Sequence, residues 1–164
     1  MSLKQYKVKR DFTKTPEPRA EDHAPEKKKP KGLIYVIQEH HASRLHYDLR
    51  LEAKEEKETV LKSWAIPKEP SLEEGIKRLA VQTEDHPFSY RDFEGTIPKG
   101  EYGAGSVKIW DKGTYQPLEK ETSKWVIRIQ GVKLQGAFAL IKLKAKDPKD
   151  KNWLFFKHKE PAEK

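Results

Sequence analysis

The stretch LHYDLRLE, Leu45–Glu52, alternates apolar and ionisable side chains without a break. Successive side chains of a strand point to opposite faces, so this run reads as a β-strand. Leu45, Tyr47, Leu49 and Leu51 take a core face, and His46, Asp48, Arg50 and Glu52 take the other. Six further runs share the texture: LIYVIQ, TVLKSWAI, SVKIWDKGTY, SKWVIRIQ, AFALIKLKA and NWLFFKHK. Each is short, rich in β-branched and aromatic residues, and bounded by Gly, Pro or charged turns. Within WDKGT, Gly113 stands where a three-residue hairpin loop wants a left-handed residue. The one good helix signal is PSLEEGIKRLA: Ser71 and Glu74 are spaced as a capping box, and Leu72, Ile76 and Leu79 repeat at i, i+4, i+7. The expected class is all-β, a barrel or sandwich of short strands with one short helix.

Residues 1–32 lack such runs. They carry Pro16, Pro18, Pro25 and Pro30, few aliphatics and the basic cluster KKKPK. They also hold ten of the 34 basic residues against five of the 26 acidic ones, which leaves 24 and 21 for residues 33–164. The expected organisation is a flexible basic arm over 1–32 and one domain over 33–164. A basic arm suits a polyanion such as nucleic acid, and a solvated tail accounts for the charge equally well. No cysteine occurs, which excludes disulfides, thiolate metal ligands and a Cys nucleophile, and fits a reducing compartment. The N-terminus has no apolar core of a signal peptide, and no run approaches the ~18 apolar residues of a spanning helix. A soluble, cytoplasmic protein without a membrane partner is expected.

Three of the six histidines, His40, His41 and His46, fall within seven residues of the first two runs. Folding IYVIQEHHASRLHYDLR as a hairpin about Ser43 places His40 opposite His46 and Gln38 opposite Asp48. Directly opposed Cβ atoms lie ~4.5–5.5 Å apart, close enough for two imidazoles to share one ion. Two His and one carboxylate leave coordination positions open, which suits catalytic Mn, Fe or Zn. Arg50, two residues beyond Asp48 on the same face, would add a fork for phosphate or carboxylate.

In RLAVQTEDHPFSYRDFEGTIPKGEYGAGSVKIW, Glu84 and His86 flank Asp85, and Pro87 predicts a turn directly after His86. Loops concentrate functional side chains, so His86 and Tyr90 are candidates for a phosphate contact or general acid. The glycines of GEYGAG do not form a phosphate loop, because no Gly-Lys-Ser/Thr follows, and a strand rather than a helix comes next. They are read as shaping a tight loop or bulge into SVKIW.

Together KRDFTKTPEP, QEHHASRLHYDLRLE, SWAIPKEPS, KRLAVQTEDHPFSYRDFEGTIPKGEYGAGSVKIWDKGTY and NWLFFKHK closely resemble the 3′-phosphoesterase module of bacterial DNA ligase D. The resemblance runs in order from about Tyr6 to Lys159 and, with no room for ligase or polymerase domains, looks like the free-standing version. It implies a compact β-barrel of mostly antiparallel strands and a manganese-dependent site acting on nucleic-acid 3′ ends. The implied activities remove a 3′-terminal ribonucleoside and then the remaining 3′-phosphate. By position, the resemblance implies His40, His46 and Asp48 as metal ligands, and Arg50, His86 and Tyr90 around the scissile phosphate. It gives Gln38, Lys68, Arg78 and Glu84 supporting roles, and Asp11 and Glu17 a part in the nucleoside-removing step. A monomer is expected, with an end-joining DNA ligase or polymerase as the candidate protein partner. His41 stands where a small residue is expected, so a second use of it on the metal stays open. Two rival readings of the residues also stay open: a non-haem iron oxygenase on a β-barrel, and a nucleic-acid-binding barrel without catalysis.

Overall fold

Eight strands close into an antiparallel ring in the computed structural model, which describes residues 3–20, 31–145, 147 and 149–159. β1 (Leu33–His41), β2 (Leu45–Glu55), β3 (Glu58–Ile66) and β4 (Arg78–Pro87) form one meander. After the short β5 (Gly95–Ile97), the strands β6 (Gly105–Lys120), β7 (Lys124–Gln130), β8 (Gln135–Lys142) and β9 (Asn152–Lys157) form another. β4 pairs with β9 and β6 pairs back to β1, so the all-β barrel closes, while β5 adds to β6 outside the ring.

Eight strands enclose a space that side chains alone can fill. Ile37, Leu49, Trp64, Ile127, Phe138 and Phe155 point into it with their neighbours, and Trp64 meets Trp125 and Trp153 edge-on at 5.5 and 5.6 Å. The alternate residues of β1–β4 face outward. There a second apolar cluster of Tyr6, Leu61, Tyr90, Phe93, Ile97 and Val107 covers them. β2 is therefore buried on both faces: Asp48, Arg50 and Glu52 are as enclosed as Leu49 and Leu51.

Three local expectations meet a different structure. The helix read in PSLEEGIKRLA does not form. Ser71 Oγ does accept the Glu73 N–H, but Gly75 sits at φ +86° and Leu72 and Leu79 are exposed, so no apolar face rewards a helix. Arg78 onward is instead β4, a strand that the helical spacing concealed. Gly113 lies inside β6 rather than in a hairpin loop. A Cβ there would meet Gln130 O at 1.9 Å, so this glycine admits a crossing backbone. Among the described residues the one α-helix is α1 (Lys4–Val8), in the segment expected to be a mobile arm. Leu3 and Tyr6 are buried, and Arg10 follows one turn on toward the same side, so residues 3–20 pack against the barrel. The cluster KKKPK lies outside the described residues except for Lys31. Among the described residues, no helix is long and apolar enough to cross a membrane.

Candidate active site

The β1–β2 hairpin has the register that opposes His40 to His46 and Gln38 to Asp48. His40, His46 and Asp48 each offer one ligand atom, and these atoms lie within 4.8 Å of one another. The His40 and His46 rings are 4.7 Å apart. His46 Nδ1 donates to Arg44 O at 3.2 Å, which turns Nε2 toward Asp48 Oδ1 at 3.4 Å. His40 Nε2 is buried without a hydrogen-bond partner, an arrangement that a bound cation would complete. Burial by itself would raise the Asp48 carboxyl, but His40, His46 and Arg50 overrule it and hold Asp48 well below the usual carboxylate range. A permanently ionised carboxylate beside two imidazoles fits a divalent metal of borderline softness. His41 faces away, bonded to Glu39 at 2.8 Å, and is not part of this cluster.

Arg50 is buried beside the cluster, with Nη2 3.6 Å from Asp48 Oδ2. Its other edges are committed. Nε donates to Gln38 Oε1 at 2.5 Å, Nη1 donates to Ser63 Oγ at 2.9 Å, and the guanidinium lies 4.7 Å from the Tyr90 ring centre. Gln38 in turn donates to Tyr90 O and Phe93 O, so one amide ties β1 to the 3-10 turn Phe88–Asp92.

His86 reaches this face through a bulge rather than a loop. Trp64 pairs with Gln82 and Ser63 with Thr83, but Leu61 pairs with His86. Three residues of β4 thus span two of β3. Regular alternation from Thr83 would send His86 into the barrel, and the extra residue turns it outward instead. Asp85 points inward to Lys62 at 3.1 Å, and Glu84 points out to Arg10 at 3.2 Å. Burial, then the charges of Arg50 and Arg10, push His86 well below its ordinary value, so the ring is neutral. Its neighbours assign the tautomer: Nδ1 donates to Glu84 O at 2.9 Å and Nε2 accepts from Arg10 at 3.4 Å.

The N-terminal segment supplies the remaining wall. Arg10 bonds Glu17 at 3.0 Å and lies 4.0 Å from the Tyr6 ring centre. Glu17 also accepts from Tyr90 Oη at 2.6 Å, and burial keeps that phenol protonated, far above its ordinary value. The result is a cavity of about 260 Å³ lined by Arg10, Glu17, His40, His46, Asp48, Arg50, Thr83, Glu84, His86, Tyr90, Tyr102 and Gly103, among others. An anion entering it would meet two guanidiniums and the His40–His46–Asp48 cluster.

Of the residues singled out in sequence, the structure gathers His40, His46, Asp48, Arg50, Glu84, His86, Tyr90 and Glu17 around this cavity, with Gln38 directly behind. Lys68 is exposed outside it, and Arg78 donates to Glu69 O at the start of β4. Asp11 is exposed and closes a turn with Thr13. Arg10, Ser63 and Tyr102 escaped sequence reading. Arg10 is one of ten basic residues in its segment, and only its spacing from Leu3 and Tyr6 along α1 marks it. Ser63 has no local signal.

A family model described as the DNA ligase D 3′-phosphoesterase domain matches residues 38–142. The multifunctional non-homologous end joining protein LigD of Pseudomonas aeruginosa is 45% identical over 163 residues, covering 96% of this chain and 19% of that protein. The LigD proteins of Mycobacterium tuberculosis and Mycolicibacterium smegmatis are 44% and 43% identical, covering 85% and 96% of the chain. The chain spans about a fifth of the length of these curated relatives (18–21%).

Proposed function

The chain belongs to the DNA ligase D 3′-phosphoesterase domain family, and on that premise we propose a manganese-dependent hydrolase that heals nucleic-acid 3′ ends for end joining. It removes a 3′-terminal ribonucleoside as a phosphodiesterase and then the 3′-phosphate as a phosphomonoesterase, leaving a 3′-OH. The observation that carries this reading is the His40–His46–Asp48 cluster with Nη2 of a buried Arg50 turned toward it. We assign the three residues as the ligands of the ion, which when bound polarises a phosphate oxygen and lowers the pKa of water.

The chain's own groups do the rest. Arg50 and Arg10 neutralise charge that develops on the equatorial phosphate oxygens, in a site whose dipoles are already oriented. Gln38 and Ser63 fix the plane of the Arg50 fork. Tyr90, kept protonated, exchanges its bond to Glu17 for one to a phosphate oxygen. His86, beside Arg10, either joins the phosphate clamp or serves the leaving oxygen as general acid. Glu17 orients Arg10 and faces the terminal sugar during ribonucleoside removal. Lys68 and Arg78 keep supporting roles in this proposal, and Asp11 a part in ribonucleoside removal, from positions outside the cavity. An iron oxygenase would need none of the guanidiniums that wall the cluster. The end-joining ligase or polymerase remains the expected partner.

The test is a 5′-labelled primer ending in one ribonucleotide, annealed to a longer template and incubated with Mn²⁺. Shortening to a 3′-phosphate and then to a 3′-OH, lost with EDTA or His46→Ala, is the expected result. An unchanged primer with every divalent metal would overturn the reading.

A further inference from the structure

The loop between β5 and β6 carries Tyr102 over the mouth of the cavity. Its backbone is tightly drawn: Glu101 N–H donates to Pro98 O, Ala104 N–H donates to Glu101 O, and Gly103 turns at φ +75°. A Cβ on Gly103 would lie 3.8 Å from His40 Cε1, so the loop passes directly over the metal-ligand cluster. A short, bonded loop of this kind holds its aromatic in a defined place.

Tyr102 is 45% exposed, and it is the only aromatic among the exposed large hydrophobic residues of the described chain. The other rings near the cavity, Tyr6 and Tyr90, are buried and already engaged. From the α1 side, Lys9 Nζ lies 4.8 Å and the Arg10 guanidinium 5.2 Å from the Tyr102 ring centre, and Lys9 donates to its hydroxyl at 3.4 Å. The ring is thus braced by two cations, while the residue as a whole stays 45% exposed to solvent. An exposed aromatic at the rim of a cationic cavity matches a ligand with an anionic head and a flat aromatic body.

The geometry points to Tyr102 as the stacking platform for the nucleobase at the 3′ end, an inference that rests on the proposed function. The phosphate of the terminal nucleotide sits among His40, Arg50 and Arg10, and its base lies against the exposed Tyr102 ring. Stacking needs only the π-face that every base presents, so the platform places the terminal nucleotide without selecting its sequence. It is a binding residue, and its effect belongs to affinity for the end rather than to the bond-breaking step.

The test is a double-mutant cycle between ring and base. Fluorescence anisotropy would measure Kd for primer–templates ending in adenosine 3′-phosphate or in the matching abasic ribose 3′-phosphate. Wild type, Tyr102→Ala, Tyr102→Phe and Tyr102→Trp would be compared without divalent metal. Tyr102→Ala is expected to weaken the adenosine end about tenfold and the abasic end less than twofold, while Phe and Trp bind within about twofold of wild type. Equal losses on both ends, or failure of Phe and Trp to restore binding, would overturn the inference. The hydrolysis reading is scored separately by adding Mn²⁺ to the wild type. Base-dependent coupling without turnover sinks that reading and leaves the platform, whereas turnover without coupling does the reverse.

Discussion

Arg50 shows why residue type matters at this site. Nε and Nη1 are spoken for by Gln38 and Ser63 and the plane lies against the Tyr90 ring, so Nη2 is held toward Asp48 without freedom to swing. A lysine would restore the charge and lose the fork. Arg50→Lys is therefore expected to lower kcat on the ribonucleotide-ended primer by about 10²-fold, the usual cost of a lost transition-state donor. Steady-state kinetics would check this, with a retained circular-dichroism spectrum showing that the barrel persists. His86 makes a second prediction at this scale. Its folded form stays neutral where the unfolded imidazole, with a pKa of ~6.5, takes a proton. The unfolded chain thus binds the extra proton in acid, and stability falls as pH drops through that value, by at most about 1.4 kcal/mol per pH unit. Thermal melts between pH 7 and 5 should show the midpoint falling, and falling less in His86→Asn. Equal slopes would mean that His86 titrates normally.

At the scale of elements, two devices assemble the cavity: the β4 bulge and the docked N-terminal segment. The segment is held by Tyr6, which is fully buried, meets the His86 and Tyr90 rings edge-on, and hydrogen-bonds Pro18 O. Tyr6→Ala should cost about 3–5 kcal/mol of packing. Because that packing belongs to the second cluster rather than to the barrel interior, the expected outcome is undocking. Limited proteolysis would then cut within residues 3–20 while the barrel survives, and activity would fall with loss of the Arg10 wall. Gly113 marks the opposite case, an element that cannot yield. Gly113→Ala drives a methyl into the Gln130 carbonyl, and urea denaturation should register a loss above about 3 kcal/mol, at the severe end for single substitutions.

For the whole molecule, the consequence is linkage between metal and fold. The three proposed ligands sit on one hairpin whose closure depends on β6 and β3 at either side. An ion that binds only this arrangement stabilises the barrel, by about 2.7 kcal/mol at a hundred times its Kd. Mn²⁺ should raise the melting temperature of the wild type, and EDTA or His46→Ala should abolish the rise. The sequence alone determined the barrel's strand texture and the β1–β2 site half. Alternation assigns faces within one strand, and a short connection leaves neighbouring strands little choice of register. Seven of the nine strands among the described residues were legible by that rule; β4 was hidden by helix-like spacing, and β5 was too short to read. Only the tertiary structure decided that Arg10 and Glu17 join residues more than sixty positions away, and that His86 turns outward. Those outcomes depend on a bulge set by the pairing of β3 with β4 and on apolar burial between distant segments, and neither leaves a periodic trace in the chain.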